Sequence, residues 1–172
     1  MKSVLKSILI SFVFSAVGMC WLLFLLFQGD GDWLLSWIGV LMSYLSLYTL
    51  IDLYCKNTYD KKLNKWLIKT AVTSFSFAVL GISFCIIHEL LTPWSLSLMV
   101  WYWLLMLVLF FTTIISLISL VFVNRKNHNF TVGYRMLILL NVFLTLGPVL
   151  WPLLLSIIGN GMNASAGGYK GI

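Results

Sequence analysis

Charged side chains are scarce in this sequence. Only 9% of its 172 residues are Asp, Glu, Lys or Arg, whereas 61% are hydrophobic. A soluble globular domain carries roughly 25% charged residues, most of them on its surface. The scarcity therefore excludes an ordinary water-soluble domain and indicates a chain whose solvent is lipid.

The sequence also lacks the residue patterns of common enzymes and metal sites. Its three cysteines, Cys20, Cys55 and Cys85, are too widely spaced to suggest a disulfide framework or a zinc cluster. No G-x-S-x-G, Walker A or C-x-x-C pattern is present, and five acidic residues leave little material for paired-carboxylate catalysis. We therefore expect a protein that is not an enzyme and binds no metal or cofactor.

No charged residue stands at the middle of a long apolar run. Proton-coupled and ion-coupled transporters use such residues near the bilayer midplane, and voltage sensors use repeated arginines. The absence of both patterns argues against these two classes. A simple pore lined by apolar or hydroxyl side chains stays possible.

The sequence does contain five long apolar runs, each near the roughly 20 residues that a helix needs to cross a bilayer. They span 7–27, 33–51, 70–91, 95–123 and 136–158. The pattern predicts an all-α fold, a polytopic integral membrane bundle with five transmembrane helices over residues 1–158. The polar, glycine-rich stretch 159–172 is expected to be a flexible tail. The alternative is four crossing helices plus a re-entrant C-terminal segment.

Basic residues alternate between the segments that connect these runs. Ten of the eleven fall in the N-terminal segment, in the loop after the second run and in the loop before the fifth, and the exception is Lys170. Cytoplasmic loops of membrane proteins are enriched in Lys and Arg. We therefore expect a multi-pass protein of the bacterial inner (plasma) membrane with a cytoplasmic N-terminus and an external C-terminus. The net charge of +6 then reflects topology, and no direct nucleic-acid binding is expected.

Small and hydroxyl residues form stripes at helical spacing along four of the runs. In lipid, such residues let helices approach closely and form hydrogen bonds between them. We interpret the stripes as packing faces, some of which are candidates for contacts in a homo-oligomer. They are Ser7, Ser11, Ser15 and Gly18; Ser36, Gly39, Ser43 and Ser46; Thr70, Ser74, Ala78 and Gly81; and Thr112, Ser116 and Ser119.

Tryptophans gather toward the predicted external ends of the runs. Trp and Tyr are enriched at membrane–water interfaces, where one end of the side chain is apolar and the other is wet. The placement predicts an aromatic belt on the external side. Its predicted members are Trp33, Trp37, Trp94, Trp101 and Trp103.

The fifth run carries a polar face. Asn141, Thr145, Pro148 and Pro152 follow one another at steps of four, three and four residues, so they share one side of a helix. A proline inside a helix releases the carbonyl four residues earlier and kinks the helix. The face is a candidate polar pathway or hinge, and a static kink is the simpler interpretation.

The loop after the second run is the most polar part of the chain. Continued as a helix, it places Lys61, Lys62, Lys65 and Lys69 on one side, with Trp66 at the interface. The lysines either attract anionic lipid headgroups and set orientation or dock a soluble cytoplasmic partner protein.

His88 and Glu89 end the third run. The H-E-x-x-H zinc pattern is incomplete, because the position four residues after His88 is Thr92. The pair is either an interfacial helix end or an external pH sensor, since a histidine can change its charge near neutral pH.

These features together favour a small non-enzymatic membrane protein. We expect a membrane sensor or anchor subunit of a multi-protein system, docking a partner through the basic 52–69 loop. Anti-phage defence components and toxin-immunity proteins have this size and character, an analogy of class alone. The alternative is an oligomeric channel or small-solute pore lined by the face of Asn141, Thr145, Pro148 and Pro152.

Overall fold

Five α-helices make up the described part of the chain, which comprises residues 2–28, 33–56, 62–92, 96–124 and 132–151 of the computed structural model. Every regular element in these ranges is a helix, so the all-α prediction is confirmed there. Each helix contains a segment long and apolar enough to cross a membrane. In chain order the helices are α1 (Lys2–Gln28), α2 (Trp33–Lys56), α3 (Lys62–Leu91), α4 (Leu96–Val123) and α5 (Val132–Val149).

Four helices extend past the apolar runs at their basic ends. α1 begins at Lys2 instead of 7 and α2 continues to Lys56 instead of ending at 51. α3 begins at Lys62 instead of 70, and α5 begins at Val132 instead of 136. Hydropathy marks where a helix meets lipid, whereas helical hydrogen bonding continues for as long as the residues tolerate it. In the last turn of α2, Lys56 Nζ lies 2.5 Å from Asp52 Oδ2, a pair that supports the helix. Within the polar 52–69 segment, residues 52–56 and 62–69 are therefore helical, and residues 57–61 lie outside the described residues.

The predicted end of the fifth run is only partly described. Pro148 lies inside α5, and helical bonding resumes after it because Leu150 N donates to Leu146 O at 2.9 Å. Residues 152–158 and the predicted tail, 159–172, lie outside the described residues. The choice between a complete fifth span and a re-entrant segment therefore stays a prediction.

α1 and α2 pack antiparallel through the small-residue stripes that the sequence shows. A Cβ added to Gly18 would lie 2.6 Å from the backbone nitrogen of Ser43, and one added to Gly39 would lie 2.7 Å from a methyl carbon of Leu22. Ser11 Oγ donates to the Ser46 carbonyl oxygen at 2.8 Å. These two stripes are thus used inside the chain, and the homo-oligomer stays a prediction.

A chain of hydroxyl groups joins α2, α3 and α4 at the centre of the bundle. Tyr44, Ser74 and Thr113 are all buried there. Tyr44 OH donates to Thr113 Oγ1 at 2.7 Å, and Thr113 Oγ1 lies 2.8 Å from Ser74 Oγ. Ser74 Oγ also lies 2.8 Å from the Thr70 carbonyl oxygen. Tyr44 can therefore donate to Thr113, Thr113 to Ser74, and Ser74 to that carbonyl oxygen. The Tyr44 ring stacks on Phe75 with 5.1 Å between centroids, so the same tyrosine also packs α2 against α3.

The hydroxyl stripe predicted on α4 is confirmed at Ser116, which is buried, and wrong at Thr112. Thr112 is only half-buried and donates to Val108 of its own helix, whereas Thr113 reaches α2 and α3. The two residues are about 100° apart around the helix, because a turn has 3.6 residues. Tyr44 decides which of them faces inward, since its hydroxyl needs a buried acceptor.

The aromatic belt is also wrong in part. Trp101 is 72% exposed, as an interfacial residue would be, but Trp37 and Trp103 are only 1% and 6% exposed. Trp37 packs edge-on against Tyr102 with 6.5 Å between ring centroids. These two tryptophans therefore fill the space between helices. Trp33 and Trp94 lie where no side chain is described.

The closest approach of α1 and α2 gives a direct test of this packing. Gly18→Ala is expected to lower the free energy of unfolding by about 1–3 kcal/mol, because the new methyl group overlaps the backbone of α2 and the helices must separate. Gly133→Ala is the matched control, since a Cβ there meets nothing within 4 Å. The measurement is reversible unfolding in mixed micelles. Equal stability of the two variants would contradict the α1–α2 contact.

The hydroxyl chain is tested by removing its middle group. Thr113→Val keeps the shape but leaves Tyr44 without its acceptor, so we expect a loss of about 0.6–1.7 kcal/mol, the range measured for hydrogen bonds between membrane helices. Thr112→Val is the control, because its hydroxyl bonds only within α4. In a Tyr44→Phe background the Thr113→Val effect is expected to shrink. An unchanged effect in that background would refute the coupling.

Candidate functional site

The basic ends of the helices meet at one end of the bundle, which we call the basic end. A groove between α2 and α3 is lined by Cys55, Lys65 and Lys69, so the end of α2 lies beside the start of α3. Similarly, Val121 of α4 and Arg135 of α5 line one surface hollow of about 190 Å³. α1 runs antiparallel to α2 and so begins at this end. The described basic side chains here are Lys6, Lys56, Lys62, Lys65, Lys69 and Arg135.

A buried pair of asparagines fixes the first turns of α3 against the end of α4. Asn64 Nδ2 donates to Asn124 Oδ1 at 2.8 Å, and Asn124 Nδ2 donates to the Leu120 carbonyl oxygen at 3.0 Å. The two residues are only 1% and 7% exposed. An amide pair removed from water holds its geometry, because breaking it leaves polar groups unsatisfied. The start of α3 is therefore a fixed helix end.

Sequence reasoning missed Asn64, although a signal for it was present. Asn64, Leu67, Ala71, Ser74 and Ala78 follow one another at steps of three, four, three and four residues, and all are buried. The predicted stripe began at Thr70 instead. The Thr70 hydroxyl donates to the Trp66 carbonyl of its own helix, so it takes no part in the contact between helices.

Three lysines project from the first two turns of α3. Lys62, Lys65 and Lys69 are exposed and recur at steps of three and four residues, so they lie on one side of the helix. Trp66 is 62% exposed beside them. Lys61, the fourth predicted member, lies outside the described residues. We call Lys62, Lys65 and Lys69 the lysine face.

The groove beside the lysine face is small and open. Its volume is about 300 Å³. One wall carries the Cys55 side chain from α2, and the other carries Lys65, Ile68, Lys69, Val72 and Thr73 from α3. The groove combines two basic side chains, Lys65 and Lys69, with the apolar side chains of Ile68 and Val72 within about two helical turns of α3. It can therefore hold a molecule with an anionic head and an apolar body.

A family model matches residues 2–167, and its description is "Protein of unknown function (DUF3902)". The chain belongs to this family. No curated protein and no solved structure matches it. The description of the DUF3902 family names no reaction, ligand or partner.

The polar face of α5 is turned into the bundle of the DUF3902 chain. Asn141, Thr145 and Pro148 are buried, and Pro152 lies outside the described residues. Asn141 Nδ2 donates to Ser11 Oγ of α1. Thr145 Oγ1 donates to the Val142 carbonyl oxygen at 2.7 Å. α5 runs parallel to α1, because two contacts advance in the same direction along both helices. Asn141 meets Ser11, and further along a Cβ at Gly147 would lie 3.2 Å from Met19. The three described residues thus pack against neighbouring helices.

Four buried polar atoms near this α1–α2–α5 contact have no hydrogen-bond partner among the described residues. They are Ser15 Oγ, Ser43 Oγ, Ser46 Oγ and Asn141 Oδ1. A serine hydroxyl in a helix can rotate to donate to the carbonyl four residues earlier. The asparagine oxygen accepts only, so it is the member of the group that most needs a donor. The α1–α2–α5 contact is polar, but the close approach of Gly18 to Ser43 leaves little space between α1 and α2.

His88 and Glu89 lie in the last turn of α3, at the opposite end from the lysine face. His88 Nδ1 is 3.1 Å from the Thr92 carbonyl oxygen, and the ring lies 6.0 Å from Phe84 between centroids. Both residues are half-buried. The described contacts of His88 are with its own helix end, which fits an interfacial terminus. The pH-sensor hypothesis stays a prediction.

No metal-binding cluster is found in the part of the DUF3902 chain that the structure describes. No three His, Cys, Asp or Glu side chains there come close enough to hold a metal ion. Cys20 is exposed, Cys55 is half-buried and Cys85 is buried, and each described thiol is unbridged. The described residues therefore direct attention to the basic end.

Proposed function

We propose that the chain is a multi-pass protein of the bacterial inner membrane, with its basic end in the cytoplasm. Five helices have the length and hydropathy that membrane crossing requires. Large apolar side chains such as Phe77, Leu105 and Phe143 are more than half exposed, which is favourable in lipid and costly in water. The described basic side chains of α1, α2, α3 and α5 share one end of the bundle, as expected for a cytoplasmic face.

This topology predicts opposite outcomes for two reporter fusions. Alkaline phosphatase fused after Lys170 is expected to be active, because an external C-terminus exports it. The same enzyme inserted between Lys56 and Lys62 is expected to be inactive, whereas a fluorescent protein inserted there fluoresces. Activity of the Lys170 fusion only with a cytoplasmic reporter would contradict a fifth crossing. It would favour the four-span alternative.

Within that membrane location, the protein acts as a non-enzymatic anchor or sensor subunit that docks a soluble cytoplasmic partner. The observation that carries this proposal is the exposed lysine face on a helix end that the Asn64–Asn124 pair holds in place. α3 has 30 residues, so it is about 45 Å long at about 1.5 Å per residue. That length exceeds a hydrocarbon core of about 30 Å, so α3 is long enough to place its basic turns at the headgroup level.

A partner for this surface carries acidic side chains. Complementary charge steers encounter and selects among partners. The lysines are spread over about two turns of one rigid helix, so they present a fixed pattern of charge. A multi-protein system such as anti-phage defence or toxin immunity uses a membrane subunit of this kind to place a soluble effector at the bilayer.

Charge reversal tests the docking surface. The triple variant Lys61→Glu, Lys62→Glu and Lys65→Glu is expected to lower partner affinity by about a hundredfold or more, because like charges opposed across an interface cost several kcal/mol. The measurement is co-purification of soluble proteins with the tagged full chain from its native host. Lys6→Glu is the control, since Lys6 is exposed on α1 at the same end. Unchanged co-purification by the triple variant, at equal membrane levels, would reject the proposal.

The channel hypothesis stays a prediction. Asn141, Thr145 and Pro148 are buried within the chain, so a pore lined by them requires α5 to move away from α1 and α2. Among the described contacts, the bond from Asn141 to Ser11 opposes that movement. The lysine face needs no rearrangement to meet a partner, and this difference favours the docking role.

A further inference from the structure

The groove between α2 and α3 combines two kinds of surface. Lys65 and Lys69, one helical turn apart on α3, supply its two cations. Ile68 lies between them along α3 and Val72 lies one turn beyond Lys69, with Cys55 contributed by α2. Lys62 lies on the same side of α3 but does not line the groove, so the cavity includes only part of the lysine face.

The position of the groove along α3 matches the membrane surface. Trp66 is 62% exposed and lies between the two groove lysines in sequence. Tryptophan side chains favour the headgroup level of a bilayer. The uninterrupted apolar part of α3 begins after Lys69. The ammonium groups therefore lie at the level of lipid phosphates, and the apolar floor lies at the level of the acyl chains.

We propose that this groove binds one anionic phospholipid, with its phosphate between the Lys65 and Lys69 ammonium groups and its acyl chain along Ile68 and Val72. Charge complementarity selects the anionic headgroup, since the described lining residues carry two cations and no carboxylate. The apolar side chains of Ile68 and Val72 favour a lipid over a soluble phosphate, because they can contact an acyl chain. Basic pockets between helices on the cytoplasmic side are a physical basis for headgroup recognition.

The inference rests on the proposed membrane location but not on the docking of a protein partner. A lipid held in the groove fills the space between the end of α2 and the start of α3. It leaves Lys62 available, because that side chain lies outside the groove. Lipid binding and partner docking thus share Lys65 and Lys69, whereas Lys62 belongs to the docking surface alone.

The experiment measures lipid binding to the purified full chain in detergent by native mass spectrometry. The probes are dioleoyl phosphatidylglycerol and dioleoyl phosphatidylcholine, which share acyl chains and differ in headgroup charge. We expect one phosphatidylglycerol to bind with at least about fivefold preference, and Lys69→Gln to weaken its binding about fivefold, the effect of one cation near a lipid surface. The double variant Lys65→Gln and Lys69→Gln is expected to show about a 25-fold loss.

Two matched variants separate the groove from general surface charge. Lys62→Gln removes the same charge from the same side of α3 outside the groove, and is expected to leave phosphatidylglycerol binding within about twofold. Val72→Trp keeps every charge but fills the groove, and is expected to abolish binding. Thr73→Trp fills the same groove from an exposed position and replaces Val72→Trp if that variant lowers the Tm in detergent.

Three results would overturn the proposal. Equal affinity for the two lipids removes the headgroup selection. Equal losses from Lys62→Gln and Lys69→Gln, or full binding by both groove-filling variants, assign the effect to diffuse charge. Displacement by glycerol 3-phosphate at the same concentration as the lipid indicates a soluble-phosphate site. These results are obtained with purified protein and lipid alone, and co-purification is measured with soluble proteins. Failure of the lipid site and failure of partner docking are therefore distinguishable, and Lys62→Glu alone tests docking without changing a groove residue.

Discussion

The close approach of α1 and α2 is the contact on which the rest of the bundle depends. α2 touches α1 on one side through Gly18 and Ser43, and it meets α3 and α4 on the other through Tyr44. α5 then lies against both α1 and α2, where Asn141 reaches Ser11. In lipid no hydrophobic effect drives helices together, so close backbone approach and hydrogen bonds between helices must supply the association. A wider α1–α2 separation would remove the surface that α5 occupies.

Polar side chains inside the bundle are arranged in three groups with different roles. The Tyr44–Thr113–Ser74 chain joins three helices at the centre, and the Asn64–Asn124 pair joins two helices at the basic end. Both use side chains from different helices, which fixes how those helices are rotated. The α1–α2–α5 group differs, because several of its oxygens have no described partner. Its main contribution is the small volume of its serines, which permits the close approach.

The sequence was sufficient for the number and type of the described helices and for the two small-residue faces that meet between α1 and α2, because both follow from local patterns. That these two faces meet each other was not predicted. Apolar length identifies a helix that can cross lipid, and serine and glycine at helical spacing identify a face that allows close approach. Helix rotation was harder to predict. Thr112 and Thr113 are adjacent, and only the position of Tyr44 on another helix shows that Thr113 faces inward. Trp37 and Trp103 illustrate the same limit, since composition does not distinguish a core tryptophan from an interfacial one.

The candidate site was predictable as a charge pattern and not as a shape. The spacing of Lys62, Lys65 and Lys69 already places them on one side of a helix. The groove beside them depends on where α2 ends relative to α3, and Cys55 enters it only through that contact. Asn64 was overlooked because it lies among lysines in a segment whose polarity suggested a loop.

The burial of Asn64 changes the physical character of the basic end. A mobile loop with the same lysines would lose conformational entropy on meeting a partner or a lipid, which weakens binding. The asparagine pair has already fixed the lysine-bearing turns of α3 against α4, so less entropy remains to be lost. Because the same turns continue into the apolar part of α3, the basic end is connected to the bundle core through a single continuous helix. The proposed anchor role relies on that continuity, whereas a charged segment that serves only to orient the chain does not need it.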